Sequence, residues 1–227
     1  MNDGKYIVGS GYIGGDRQRE DFFKLWIRNL ERNADFNPRH LFVVCARGQS
    51  PADERPWMTK VKIAGDLGHI CRNDSQRHQI EGWPAALMTL MLIAYNDERD
   101  LIFIEQDCLP FGGFVSQLFS EIRDGVGCIM GNLSTQPCAQ SLMLIRHWFI
   151  PELVHGYLGK KIKERKLQGE QAFEQMEKEM NGKFQRFSFG YDRDRPPDGF
   201  ESMKGKVWYA QQISMDELAT LKQLGMI

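Results

Sequence analysis

Apolar and polar positions fall along this chain in blocks whose period changes, and each change marks an element. Lys5 to Ser10 is a short apolar run closing on glycines, which predicts a first strand. Asp16 to Asn33 carries Phe22, Phe23, Trp26, Ile27 and Leu30 at the spacing of one helical face. Leu41 to Ala46 is nearly unbroken in apolar residues, the pattern of a strand covered on both sides, and Val61 to Ala64 is a weaker third strand. Trp83 to Tyr95 is apolar almost all round, with Pro84 suited to a first turn and polar residues from Asn96 to Asp100 ending it. That predicts a core helix, because a bilayer span needs about 20 residues. It leads directly into an apolar strand, Asp100 to Ile104.

Beyond it, Val126 to Gly131 and Ser141 to Ile145 read as strands, and a helix starts near Pro151 within Phe149 to Leu158. Lys160 to Glu170 is dense in Lys, Arg and Glu, the mark of a solvated helix face, and a second charged helical stretch runs to Glu179. Ser214 with Glu217 three residues on is a capping box that opens a last helix. Strand and helix patterns alternate without an internal repeat, so the expectation is one α/β domain.

Composition narrows the class. The 227 residues are 42% hydrophobic and 26% charged, which is enough apolar material for a large core. With 29 basic against 30 acidic residues, no global charge draws the chain to nucleic acid or to an anionic membrane. Cys45, Cys71, Cys108, Cys128 and Cys138 are odd in number, scattered and without a C-x-x-C pair, which predicts reduced thiols in a cytoplasmic setting and disfavours a zinc cluster. Met1 to Tyr6 carries no apolar run, so neither a leader nor an anchor is expected.

Four segments carry candidate chemistry. Glu105 and Asp107 stand at i and i+2 where the Asp100 strand ends, and an extended chain would point both carboxylates to one side. Two carboxylates suit Mg²⁺ or a similar cation shared with a diphosphate; the competing reading is a polar turn before Pro110 and Gly112. Gly9-Ser10-Gly11-Tyr12-Ile13-Gly14 matches G-x-G-x-x-G, but the acid expected about 20 residues on, at the tip of the next strand, is missing. A nicotinamide or flavin oxidoreductase is therefore disfavoured, and a loop against a nucleotide or a plain turn remains. Arg72 to Gln79 is a polar run in which Asn73, Asp74 and Arg77 suit a ribose, base or phosphate, or simply an exposed loop. Gly190 to Asp198 places Arg193 and Arg195 at i and i+2 in a proline-bounded loop, suited to a diphosphate or to pairing with Asp192, Asp194 and Asp198.

The order of strand, glycine loop, helix, apolar strand, polar run, apolar helix and acid-x-acid strand end resembles the GT-A type nucleotide-diphospho-sugar glycosyltransferases. The resemblance covers about residues 5 to 150. It implies a single GT-A-like, Rossmann-related domain over 1–227, a mixed and mostly parallel sheet flanked by helices. About 1–110 would be the nucleotide-binding half and about 111–227 the acceptor-side half. It implies a glycosyltransferase with Glu105 and Asp107 on a divalent metal, Mn²⁺ or Mg²⁺, that bridges the diphosphate of a nucleotide-sugar donor. Gly11 and Tyr12 would form the nucleotide loop, with Asn73, Asp74 and Arg77 a second nucleotide contact. Gly169 to Glu174 resembles the acidic segment near the acceptor in such enzymes, which makes Glu170 the candidate base toward a glycan or other hydroxyl acceptor. Two departures stand out: the first motif acid is Glu rather than the commoner Asp, and no His follows His155 to supply the family's frequent C-terminal ligand. Arg193 and Arg195 would then share in stabilising the leaving group. A nucleotidyltransferase would need a basic residue in the glycine loop, and 9–15 has none. A non-catalytic nucleotide- or glycan-binding domain is the remaining alternative.

Overall fold

The computed structural model describes residues 5–45, 48–51, 53–64, 83–131, 141–163, 169–191 and 195–227. Strand β1 (Tyr6–Tyr12) leads through a glycine loop into α1 (Arg17–Arg32), then β2 (Leu41–Cys45) and β3 (Thr59–Lys62). Helix α2 (Trp83–Asn96) precedes β4 (Asp100–Ile104), β5 (Cys108–Phe111) and α3 (Phe114–Glu121). The remainder is β6 (Cys128–Met130), β7 (Leu142–Ile145), α4 (Ile150–Lys163), α5 (Gly169–Glu179), β8 (Phe184–Arg186), β9 (Trp208–Gln211) and α6 (Met215–Gln223).

Seven strands form one sheet in the order β3-β2-β1-β4-β7-β6-β8. Every neighbouring pair is parallel except those of β7, which runs antiparallel to both β4 and β6. The two-residue period of the strands sorts their side chains onto two faces. Val8, Val43, Ile102 and Ile104 meet Phe23, Trp26 and Leu30 of α1 on one side. On the other, Ile7, Val44, Leu101 and Phe103 meet Leu87, Leu90 and Met91 of α2. This double cover explains why the central strands are apolar at nearly every position. Gly9 serves the same packing, since a Cβ there would lie 2.6 Å from the Leu90 Cδ atoms, so the bare backbone lets α2 seat closely on β1.

Two expectations are refined. Helix α2 is apolar all round but is not buried all round, because Leu92 and Tyr95 remain exposed. The stretch after Asp107 is not merely a turn: Cys108 to Phe111 forms β5, which pairs antiparallel with β9 in a separate two-stranded ribbon, Cys108 opposite Gln211 and Phe111 opposite Trp208. Pro110 is tolerated there because a two-stranded ribbon has an open edge on each strand. Phe111 and Trp208 stack at 4.3 Å between ring centroids, which fixes the register. The ribbon carries the C-terminal part of the chain back to the tip of β4.

Cys45, Cys108 and Cys128 are all buried and form no disulfide. Among the described residues no helix is long and apolar enough to cross a membrane.

Candidate active site

The side chains of β4 are buried from Leu101 to Ile104, and the chain leaves the sheet at Glu105. The Glu105 N–H still donates to the Ser141 carbonyl at 2.8 Å, and the Cys108 N–H donates to the Glu105 carbonyl at 3.0 Å. The acids therefore occupy the first and third positions of a four-residue turn rather than an extended strand. They converge nonetheless. Nε2 of Gln211 donates to Oε2 of Glu105 at 2.6 Å and to Oδ1 of Asp107 at 3.2 Å. Gln211 is the last residue of β9, only 5% exposed, so a buried amide gathers the two half-buried carboxylates. The next residue adds a backbone tie, as the Gln212 N–H donates to the Asp107 carbonyl at 3.2 Å.

Gln106, between the acids, faces the other way. Its Oε1 accepts from the Ile13 N–H at 2.7 Å and its Nε2 donates to the Ile13 carbonyl at 3.3 Å. One side-chain amide thus satisfies both backbone groups of a residue in the loop after β1, as a neighbouring strand would. The Gly14 N–H donates to Oε1 of Gln49 at 3.4 Å. The glycine loop and the acid turn are consequently one unit at the C-terminal edge of the parallel strands, where open α/β sheets bind ligands.

Of the residues picked from sequence, Gly11 lies in β1 opposite Val44. Tyr12 is 1% exposed, packs edge-on against Phe23, and donates its hydroxyl to the Glu20 carboxylate. Burial, together with that carboxylate, pushes the phenol well above its ordinary range. Only the Tyr12 backbone, not its ring, is presented on the loop side. Gly14 completes the arrangement, because a Cβ there would lie 2.6 Å from the Tyr12 hydroxyl and 2.8 Å from the Glu20 carboxylate. The three fingerprint-like glycines are thereby partly accounted for by packing.

Arg195 is engaged with the start of the last helix and the end of β9. Its Nε pairs with the Glu217 carboxylate, its Nη1 donates to the Gln211 carbonyl at 3.3 Å, and its Nη2 donates to the Gln212 carbonyl at 3.0 Å. Gln212 needs such support, being a non-glycine residue at φ 51°, a conformation that costs of order 1 kcal/mol or more. The same Arg195 pairing holds Glu217 down at about 2, against its ordinary 4.5.

Glu170 stands in the first turn of α5, its side chain outside the described residues. Helix α5 reaches the same edge of the sheet: Arg186 of β8 pairs with Glu177 and donates Nη1 to the Gly131 carbonyl, just past β6, at 3.1 Å. Asn73, Asp74, Arg77 and Arg193 lie outside the described residues. Sequence reasoning passed over Gln106 and Gln211, whose signals were an amide between two acids and a glutamine closing a β-rich run.

Among the described residues no three His, Cys, Asp or Glu side chains gather as a metal cluster. The donor set at the turn is two carboxylates and an amide, all able to offer oxygen, which fits a hard divalent cation.

No protein-family model and no curated sequence matches the chain. Solved structures do. A glycosyltransferase involved in the glycosylation of the major capsid of PBCV-1 is 6% identical and matches at a TM-score of 0.55, covering 98% of this chain and 99% of that one. Mouse xyloside xylosyltransferase 1 is 10% identical at 0.53, with 91% and 97% covered. The galactosyltransferase LgtC is 11% identical at 0.55, with 96% and 94% covered. At such identities the likeness is one of fold, and it runs nearly end to end: the chain has a GT-A-like fold.

Proposed function

We propose that this chain is a metal-dependent glycosyltransferase that moves a sugar from a nucleotide-diphosphate donor to a hydroxyl acceptor. One observation carries the reading: Glu105 and Asp107 converge on a single buried amide at the tip of β4, tied through Gln106 to the loop after β1. The fold adds weight, since the structures it matches from end to end are named as glycosyltransferases.

Glu105 and Asp107 would hold Mn²⁺ or Mg²⁺, and such a cation supplies positive charge where a departing nucleoside diphosphate gathers negative charge. The protein's own part is to fix geometry before reaction. Gln106 and Gln49 hold the backbone of Ile13 and Gly14, so that the loop from Gly11 onward offers the nucleotide a preset surface. We assign Tyr12 a backbone role there, and Asn73, Asp74 and Arg77 to the nucleotide as well. Arg193 is assigned to the diphosphate; Arg195 contributes by holding the Gln211 and Gln212 carbonyls, and so the corner above the acids. Glu170, on the helix that Arg186 ties to the sheet edge, is the proposed base that removes the proton of the acceptor hydroxyl. An acid on the face opposite the leaving group would give inversion at the anomeric carbon, and the lack of one there retention. In this reading 1–110 binds the nucleotide and 111–227 faces a glycan or other hydroxyl acceptor. Cysteines outside any disulfide at 45, 108 and 128 agree with a cytoplasmic setting.

The test is release of nucleoside diphosphate from a panel of UDP, GDP and CDP sugars in the presence of Mn²⁺. Turnover is expected with one donor class, and Asp107→Asn should lower it on the order of a hundredfold while leaving the circular dichroism unchanged. Turnover that survives in a folded Asp107→Asn protein would remove the acid pair from the reaction.

A further inference from the structure

The amide that gathers Glu105 and Asp107 faces both carboxylates at once. Its Nε2 lies 2.6 Å from Oε2 of one acid and 3.2 Å from Oδ1 of the other, and ionised carboxylates accept hydrogen bonds without donating them. In that orientation the partly positive N–H₂ does for the pair what a metal ion does, offsetting their mutual repulsion. A cation seated between those two oxygens would meet the partly positive N–H₂ head-on, an unfavourable contact that the oxygen end of the amide would replace with a favourable one.

The two ends of a side-chain amide are nearly equal in size, and a half-turn about the last carbon–carbon bond exchanges donor for acceptor at no cost in volume. The Gln211 backbone, by contrast, is firmly placed. It pairs with Cys108 across the ribbon, its carbonyl accepts from Arg195 at 3.3 Å, and the Gln212 N–H grips the Asp107 carbonyl at 3.2 Å. A firmly placed backbone that carries this amide, 5% exposed and in contact with both acids, leaves two chemically distinct orientations for the amide to take.

Resting on the glycosyltransferase reading above, we propose that Gln211 is the third oxygen ligand of the metal site. With the metal absent, its N–H₂ holds Glu105 and Asp107 together. When the cation enters, the amide turns over and Oε1 joins the two carboxylates. The turn at 105–107 stays organised in both states, so the site need not collapse or splay between cycles. A neutral third ligand also leaves the site with two formal negative charges, which match those of a divalent cation.

Mn²⁺ affinity measured by calorimetry and by the loss of free-ion electron paramagnetic resonance signal, with and without nucleoside diphosphate, separates the possibilities. Gln211→Leu keeps the bulk and removes the oxygen, and it should weaken Mn²⁺ by about tenfold or more, since even groups that only orient a metal's ligands cost that much when removed. Gln211→Glu supplies oxygen in both orientations and should bind Mn²⁺ at least as tightly as the native protein while its metal-free form loses thermal stability. In the native protein, the Gln211 side-chain N–H₂ resonances, identified as those absent from Gln211→Leu, should lose their hydrogen-bonded shift when Mg²⁺ is added. If Gln211 were only a strut of the metal-free state, Gln211→Leu would bind Mn²⁺ as well as or better than native protein, and the proposal would be overturned. Native protein that binds no Mn²⁺ in any condition overturns the metal site itself. Native binding lost in Asp107→Asn but kept in Gln211→Leu overturns the role of Gln211 alone.

Discussion

Arg195 and Glu217 show how a single pair can brace the corner of a candidate site. Glu217 is the third residue of α6, where its carboxylate also accepts from the Ser214 N–H at 2.7 Å to complete a capping box. Arg195 joins that cap to the carbonyls of Gln211 and Gln212, so the start of the last helix, the end of β9 and the corner over the acids share one guanidinium. The pairing lowers the Glu217 carboxyl to about 2. A group whose folded value is depressed contributes stability that is present above its unfolded value, near 4.5, and is lost as pH falls through the folded one. Glu217→Gln keeps the capping capacity and deletes the charge. At pH 7 it should cost about 1 kcal/mol, the upper end for a partly exposed pair, or roughly 2–4 °C in Tm for a chain of this size. The difference from native protein should shrink between about pH 4.5 and pH 2. Melting curves across that range check it, and a difference that holds constant down to pH 2 contradicts the ion-pair account.

At the scale of elements, the ribbon of β5 and β9 positions the candidate site, because it returns Gln211 to the acids. Its second strand lies against the loop at Gly190, which has φ +99° and whose missing Cβ would overlap the Tyr209 ring. The Tyr191 N–H donates to the Tyr209 carbonyl at 3.0 Å, so the chain at Gly190 and Tyr191 is laid along β9. Gly190→Ala combines a left-handed backbone with a steric overlap and should cost about 1–3 kcal/mol. Urea denaturation should show a lowered midpoint with the slope unchanged; a midpoint equal to native would mean the loop does not pack as described. These contacts mark the limit of what sequence could disclose. The strands β1, β2 and β4 and the helices α1 and α2 were legible because burial on two faces, or on one helical stripe, writes a period into the residues themselves. Strand β5 was not, since four residues including Pro110 acquire their conformation from a partner a hundred positions away. The convergence of Glu105 and Asp107 was anticipated from i, i+2 spacing, yet the structure achieves it through a turn and a distant amide. The glycine pattern at 9–14 invited a dinucleotide reading, while Leu90 above Gly9 and the Tyr12 and Glu20 pair beneath Gly14 explain two of its glycines by packing.

For the molecule as a whole, a sheet apolar on both faces gives a rigid frame, and every polar contact described at the site is made at one edge of it. The near-neutral balance of 29 basic and 30 acidic residues means that no broad field draws anionic ligands in, so the proposed donor would have to be held by local contacts. A site built from two carboxylates is repulsive to a diphosphate until a cation is present. Nucleotide and metal should therefore bind as a pair, each weakly without the other. Melting of the purified protein with UDP, GDP or CDP, each with and without Mn²⁺, tests this most directly, because a ligand that binds the native state alone raises the melting temperature. One nucleoside diphosphate together with Mn²⁺ should stabilise the protein by roughly 5–10 °C at about a hundred times its dissociation constant. Neither component should do so alone, and Asp107→Ala should abolish the shift. Equal stabilisation without metal, an undiminished shift in Asp107→Ala, or stabilisation by a nicotinamide dinucleotide instead would contradict the account.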